Sequence, residues 1–303
     1  MGILSEVYYA AVLFWRVFFP RGDFTTATMP DLTGHVIVVT GGNTGIGWET
    51  IKALLEHNAK VYMASRSKQR AEVAIARLKE ETGKESIFLE LDLGNLKSVR
   101  RAADEFLSKE QELHVLFNNA GVMTPPKEQL TADGYDLQFG TNVIGHFLFT
   151  ELLMPALFAG AQSSPDHHAR IITTSSGAAM LGHIDFDSWK EGTGRQKASV
   201  RSLYGQSKLA NAIVARQIAK RYADKGIISI SVDPGSIKSD LQRYARQRTG
   251  VEGLLISIVL KLLLRPTPFG ALTQLWAGTM PEAINANGEV RILLLFASRW
   301  DGE

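Results

Sequence analysis

From His35 onward, short β-branched runs alternate with segments of helical spacing, and few folds accept such a chain. "HVIVV" precedes "GIGWETIKALLEHN", "AKVYMAS" precedes "SKQRAEVAIARLKEET", and "SIFLELDL" precedes "NLKSVRRAADEFLSKE", with Asn95 placed as a helix cap. "LHVLFNNAG" leads into a long helix from about Gly134 to Leu157, "ARIITTSS" is followed by the helix "SLYGQSKLANAIVARQIAKRYADK", and "IISISVDPG" comes next. A further strand is offered by "VRILLLF" near the end. This alternation predicts an α/β fold, a doubly wound parallel sheet of about seven strands with helices on both faces. The strands are continuous apolar runs, as burial on both faces requires. No boundary interrupts the pattern, so residues 31–303 are expected to form one domain behind an apolar extension at 1–30.

The first strand runs directly into "VVTGGNTGIGWE". Gly41, Gly45 and Gly47 stand where the backbone must turn sharply and where side chains would block a pyrophosphate. The helix beyond offers free N–H groups and the positive end of its dipole. Placed after the first strand of a βαβ run, this loop predicts a dinucleotide site contacted by Gly41, Asn43, Thr44, Gly45, Ile46 and Gly47. The second strand ends in "MASRS", where an NAD site usually has an acidic residue for the ribose hydroxyls. Here Arg66 follows Ser65, with Lys68 and Arg70 close behind, which suits a 2′-phosphate and favours NADP(H) over NAD(H). The alternative is that Arg66 only solvates the helix start. Asp92, ending the third strand, is read either as a contact for the adenine edge or as a cap of the next helix.

In "SLYGQSKLAN", Tyr204 and Lys208 stand four apart, on one face of a helix. An ammonium there favours the phenolate and lowers a tyrosine pKa that is about 10 when unperturbed. The spacing is common by chance, so taken alone it leaves a half-buried aromatic as the alternative. Composition removes other chemistries. The chain has no cysteine, which excludes disulfides and thiolate catalysis, and its net charge of +2 with no dense basic run argues against nucleic acid as a partner. No metal site is expected, since the adjacent His167 and His168 read as solvated loop residues.

Four features occur in order: "TGGNTGIG" at 40–47, "NNAG" at 118–121, "SS" at 175–176 and "YGQSK" at 204–208. Together they resemble the short-chain dehydrogenase/reductase family of single-domain Rossmann oxidoreductases, over about residues 31–290. The wording "YGQSKLAN", the long interval from Ser176 to Tyr204 and the apolar segment at 253–264 look most like the retinol-dehydrogenase-like branch. The resemblance implies an NADP(H)-dependent enzyme acting on CH–OH and C=O groups. It implies Tyr204 as general acid/base, Lys208 as the lysine that lowers its pKa and holds the nicotinamide ribose, and Ser176 as the partner of the substrate oxygen. Asn142 would position a water in a proton relay. Asn119, Ala120 and Gly121 would lie beside the cofactor, as would Pro234 and Gly235; Ser239 stands where the family often has threonine.

Substrate contacts are expected between Gly235 and the helix near Gly270, with an apolar lid at about 236–268. "GLLISIVLKLLLRP" is interrupted only by Lys261 before its closing Arg-Pro, so it reads as a lid over a lipophilic substrate, or as a buried helix or dimer interface. Retinoid-, steroid- or terpenoid-like molecules fit that reading, in detoxification or in secondary metabolism. "VYYAAVLFWRVFF" at 7–19 is shorter than the roughly 20 residues that span a bilayer and lacks the marks of a signal peptide. It is expected either to lie in a membrane interface or to pack on the body or on a second subunit of a homodimer. An intracellular location follows, cytoplasmic or membrane-associated. The competing function is a non-catalytic NADP-binding regulatory or membrane-docked scaffold protein, against which the complete set Asn142, Ser176, Tyr204 and Lys208 argues.

Overall fold

The computed structural model describes residues 24–239, 241 and 264–291. The expected membrane-interface segment at 7–19, nearly all of the apolar segment at 253–264 and the tail beyond Arg291 lie outside the described residues.

The chain builds β1 (Val36–Thr40), α1 (Gly45–Glu56), β2 (Lys60–Ser65), α2 (Lys68–Thr82), β3 (Ile87–Glu90), α3 (Leu96–Lys109) and β4 (Val115–Asn118). It continues with α4 (Leu137–Ser163), β5 (Ala169–Thr174), α5 (Thr193–Lys197), α6 (Val200–Tyr222), β6 (Ile227–Val232), α7 (Thr267–Thr279) and β7 (Val290–Arg291). All seven strands are parallel in the order β3-β2-β1-β4-β5-β6-β7. The chain moves outward from β1 to β3, then returns to place β4 on the other side of β1. The reversal opens a crevice at the carboxyl ends of β1 and β4, where such sheets bind ligands.

Alternate strand residues feed two cores. Ile37, Val39, Met63 and Phe117 pack on one face under Ile51 and Leu54 of α1 and Leu275 of α7. Val36, Val38, Tyr62 and Leu116 pack on the other under Phe106 of α3, Phe149, Leu153 and Leu157 of α4, and Ile218 of α6. Each such side chain contributes about 1.5–3 kcal/mol on burial. α4 is long and apolar enough to cross a membrane by length and composition. Its place here is in the core, against α3 and the sheet.

Local chemistry sets the element ends. Asn95 caps α3, accepting from the N–H groups of Lys97 and Ser98, and Ser67 caps α2. Asp92 is not that cap; its Oδ1 turns to the Gly94 N–H at 3.0 Å. The third and fourth strands are shorter than their apolar runs, ending at Glu90 and Asn118. The expected long helix starts three residues later than Gly134, because Asp136 caps it through the N–H groups of Gln138 and Phe139. It also runs on to Ser163, with Pro155 inside. Residues Gly140–Gly145 form a π-helical stretch within α4, a widened turn often found at functional sites.

Candidate active site

A cavity of about 570 Å³ occupies the crevice at the carboxyl edge of the sheet. Its first wall is the loop between β1 and α1. Gly41 has φ +68°, and a Cβ there would meet Ala120 at 3.0 Å. At Gly47 a Cβ would lie 2.4 Å from the Gly41 carbonyl oxygen, so only glycine lets the start of α1 tuck under the loop. Asn43, Thr44, Gly45 and Ile46 complete this wall. At one end the cavity reaches Ser65, Arg66, Ser67 and Arg70 after β2, and Asp92 after β3. Arg66 is exposed and makes no ion pair among the described residues.

The opposite end gathers Asn119, Ala120, Gly121, Ser176, Tyr204, Lys208, Pro234, Gly235 and Ser239. Thus every residue expected at the cofactor lines one cavity, and of the four expected catalytic residues only Asn142 does not. Ser175 and Ser176 divide their work. Ser175 is buried and its hydroxyl donates to the Lys208 carbonyl at 2.7 Å, whereas Ser176 faces the cavity and hydrogen-bonds the Tyr204 hydroxyl. Lys208 Nζ donates to the Thr174 carbonyl at 2.8 Å and lies 5.9 Å from the centre of the Tyr204 ring.

Among the protein's own groups, burial dominates the electrostatics. Burial pushes the Tyr204 phenol above its ordinary value; the bond from Ser176 works against this, and the negative charge of Asp233 adds to it. The same burial pushes Lys208 down to about 8, opposed by Asp233. The protein's own groups therefore hold the phenol protonated rather than lowering its pKa. The ammonium is tied to a backbone carbonyl instead of pointing at the hydroxyl, so desolvation wins. Asp233, at the end of β6, was not marked by sequence reasoning because its influence depends on β6 lying beside β5.

The Asn142 side-chain oxygen accepts from the Val122 N–H at 2.9 Å, and its amide donates to the Val122 carbonyl and to Ser207, each at 3.0 Å. The side chain joins the segment after β4 to α6.

Next to it, the fully buried His146 was overlooked. Its Nδ1 lies 3.0 Å from the Asn142 carbonyl, which can only accept, so Nδ1 carries the hydrogen. Nε2 then accepts from Thr40 at 2.9 Å, and the Thr40 oxygen receives the N–H groups of Asn119 and Ala120. A neutral imidazole thus fixes the loop at the cavity floor. Burial lowers its pKa to about 4, with the Lys208 charge acting in the same direction. A histidine with a depressed folded pKa stabilises fully above the unfolded value near 6.5, and that stability fades as pH falls toward 4. The loss is expected to reach roughly 3 kcal/mol. Urea unfolding at several pH values should show a shallower acid decline in His146→Gln, which keeps one donor and one acceptor. An unaltered decline would remove His146 as its source.

A family model described as short chain dehydrogenase matches residues 35–189. The chain belongs to the short-chain dehydrogenase/reductase family. A short-chain dehydrogenase/reductase of Armillaria gallica is 54% identical over 277 residues, covering 91% of this chain and 87% of the relative. Retinol dehydrogenase 11 of Mus musculus is 41% identical over 215 residues, covering 71% of this chain and 65% of the relative. Among the family's solved structures, the NADP complex of RhlG from Pseudomonas aeruginosa is 26% identical with a TM-score of 0.66, over 86% of this chain and 95% of that one. Membership makes this chain an oxidoreductase on a Rossmann fold, of the retinol-dehydrogenase-like kind.

Proposed function

We propose that this short-chain dehydrogenase/reductase interconverts an alcohol and a ketone or aldehyde on a lipophilic substrate, using NADP(H). The observation that carries the reading is the contact of Ser176, Tyr204 and Lys208 with one cavity whose far end holds Arg66 and Arg70.

The residues present fit the dinucleotide. Gly41 and Gly47 let the loop and the start of α1 pack closely, which brings the N-terminus of α1 to the cavity wall where its N–H groups would meet a pyrophosphate. Arg66 and Arg70 would hold the 2′-phosphate, Asp92 the adenine edge, Lys208 the ribose, and Pro234, Gly235 and Ser239 the nicotinamide end. The bound cofactor supplies or accepts the hydride at carbon. Tyr204, held protonated by burial, gives its proton to the substrate oxygen in reduction and takes it back in oxidation. Ser176 bonds the same oxygen as charge develops on it. Lys208 contributes a positive charge beside the phenol, and Asn142 and His146 hold the loops in place.

Three observations support a lipophilic substrate: the relation to retinol dehydrogenase 11, the apolar segment at 253–264, and the cavity lining of Val122, Met123, Ile237, Leu241 and Leu264. The NADP in the RhlG complex and the guanidinium groups here favour the phosphorylated cofactor. The test is oxidation of NADPH and NADH by the purified protein across hydrophobic aldehydes and ketones, with sugars as controls. NADPH-selective turnover of the hydrophobic carbonyls is expected. Turnover confined to sugars, or none with NADPH bound, would count against the reading.

A further inference from the structure

Three buried side chains tie the segment after β4 to α6 and the short helix before it, at successive positions. Nearest the cavity, Asn142 takes both backbone groups of Val122 and reaches Ser207 on α6. Two residues on, Gln138 Oε1 accepts from the Thr124 N–H at 2.9 Å while its Nε2 donates to the carbonyl of Val200, the first residue of α6, at 3.0 Å. Thr124 has φ +47°, an unusual conformation for a residue with a β-branched side chain, and the Gln138 bond helps hold it there. Furthest out, Arg195 of α5 donates to the carbonyls of Lys127 and Gln129, the latter at 3.1 Å. Its Nε meets Asp136 at 3.1 Å, and Asp136 is the cap of α4. Gln138, Arg195 and Asp136 are all buried.

The floor of the cavity is held differently. Asn119 and Ala120 hang on Thr40 and through it on His146. The floor thus hangs on Thr40 and His146, while Thr124, Lys127 and Gln129 are held by Gln138 and Arg195; the two sets meet where His146 bonds the Asn142 carbonyl. Val122 and Met123, at the start of that segment, line the same cavity as Ser176 and Tyr204.

We propose that Gln138 and Arg195 are positioning residues that set the width of the substrate cleft. They hold segment 122–129 at a fixed separation from α6, so that carbonyl substrates are selected by bulk. The proposal rests on the carbonyl-reducing reading given above. A bonded amide or guanidinium has one length. Replacing it with a group that does not bond, or with one that lacks the guanidinium's fork and cannot hold both carbonyls and Asp136 together, frees the backbone to move outward, and the cleft then accepts wider molecules.

The test uses the full-length protein, Gln138→Met and Arg195→Lys, the lysine keeping the charge opposite Asp136. NADPH-dependent reduction of straight-chain, aryl and polyene aldehydes is measured beside NADPH binding and thermal unfolding. The ratio of kcat/KM between the bulkiest and slimmest aldehydes is expected to shift by about tenfold, carried by KM. NADPH affinity and kcat on the slimmest aldehyde should hold. An unchanged ratio with a lower unfolding temperature assigns both residues to fold stability and overturns the proposal. Equal losses on every aldehyde with weakened NADPH binding overturn it as well. If the parent protein binds NADPH but reduces none of them, the carbonyl reading fails and this proposal falls with it.

Discussion

Tyr204→Phe is expected to lower kcat for carbonyl reduction by about a thousandfold, within the range that a lost general acid commands. The substitution removes one oxygen from a buried ring on α6, so the packing of that ring stays intact. What disappears is the proton donor and its bond to Ser176. A loss of that size corresponds to about 4 kcal/mol of transition-state stabilisation. NADPH binding should survive, because the glycine loop and Arg66, which would hold the cofactor, line other parts of the cavity. Steady-state turnover and NADPH titration on the same preparations check both halves. A variant that keeps a tenth or more of the parent rate would show that another group delivers the proton, and Tyr204 would revert to a buried aromatic. A variant that loses NADPH binding would make the tyrosine chiefly a cofactor contact.

Arg66→Ala is the second substitution of large effect. Arg66 is exposed at the rim beyond β2, so its removal leaves no buried partner behind and the fold should be untouched. A hydrogen bond to a charged group contributes about 1.5–3 kcal/mol, and two phosphate oxygens in reach of one guanidinium make the upper part of that range relevant. The ratio of kcat/KM for NADPH over NADH should therefore fall by roughly 10- to 100-fold. NADH values should barely change, since a free 2′-hydroxyl asks little of an arginine. Arg70 lines the same end and sets a floor, which Arg66→Ala/Arg70→Ala should lower further. An unaltered ratio would mean that Arg66 only solvates the start of α2.

Much of this arrangement could be read from the chain, for a physical reason. The glycine loop, the strand ends and the pair Tyr204 and Lys208 are local patterns, each confined to a dozen residues or fewer. Their types are dictated by what sits within a few ångströms along the same element. The parallel order of strands follows from alternation, and all seven appear, the last beginning at Val290. Relations between distant residues had no such trace. Asn142 could be recognised as important by its place in "QFGTNVIGHF", yet not that its amide would be spent on Val122 twenty residues away. His146 has no meaning until Thr40 lies opposite, and Arg195 none until Asp136 is folded against it. The burial of Tyr204 was hidden for the same cause. A lysine one turn away is visible in sequence, whereas the desolvation that raises the phenol's pKa comes from the folded surroundings.

The central seam of the sheet joins strands that are far apart in the chain. The Val36 amide donates to a ring nitrogen of His114, 78 residues on, and β1 pairs with β4 along Ile37, Val38 and Val39. A chain emerging from the ribosome can assemble β1, β2 and β3 with their helices long before the other half exists. The crevice has no second wall until β4 docks, and the proton donor arrives later still, on α6. The crevice is therefore complete only once β4 has docked, at a closure that spans a long stretch of chain. A dinucleotide that touches the loops of both halves draws the closed form out of the equilibrium by mass action.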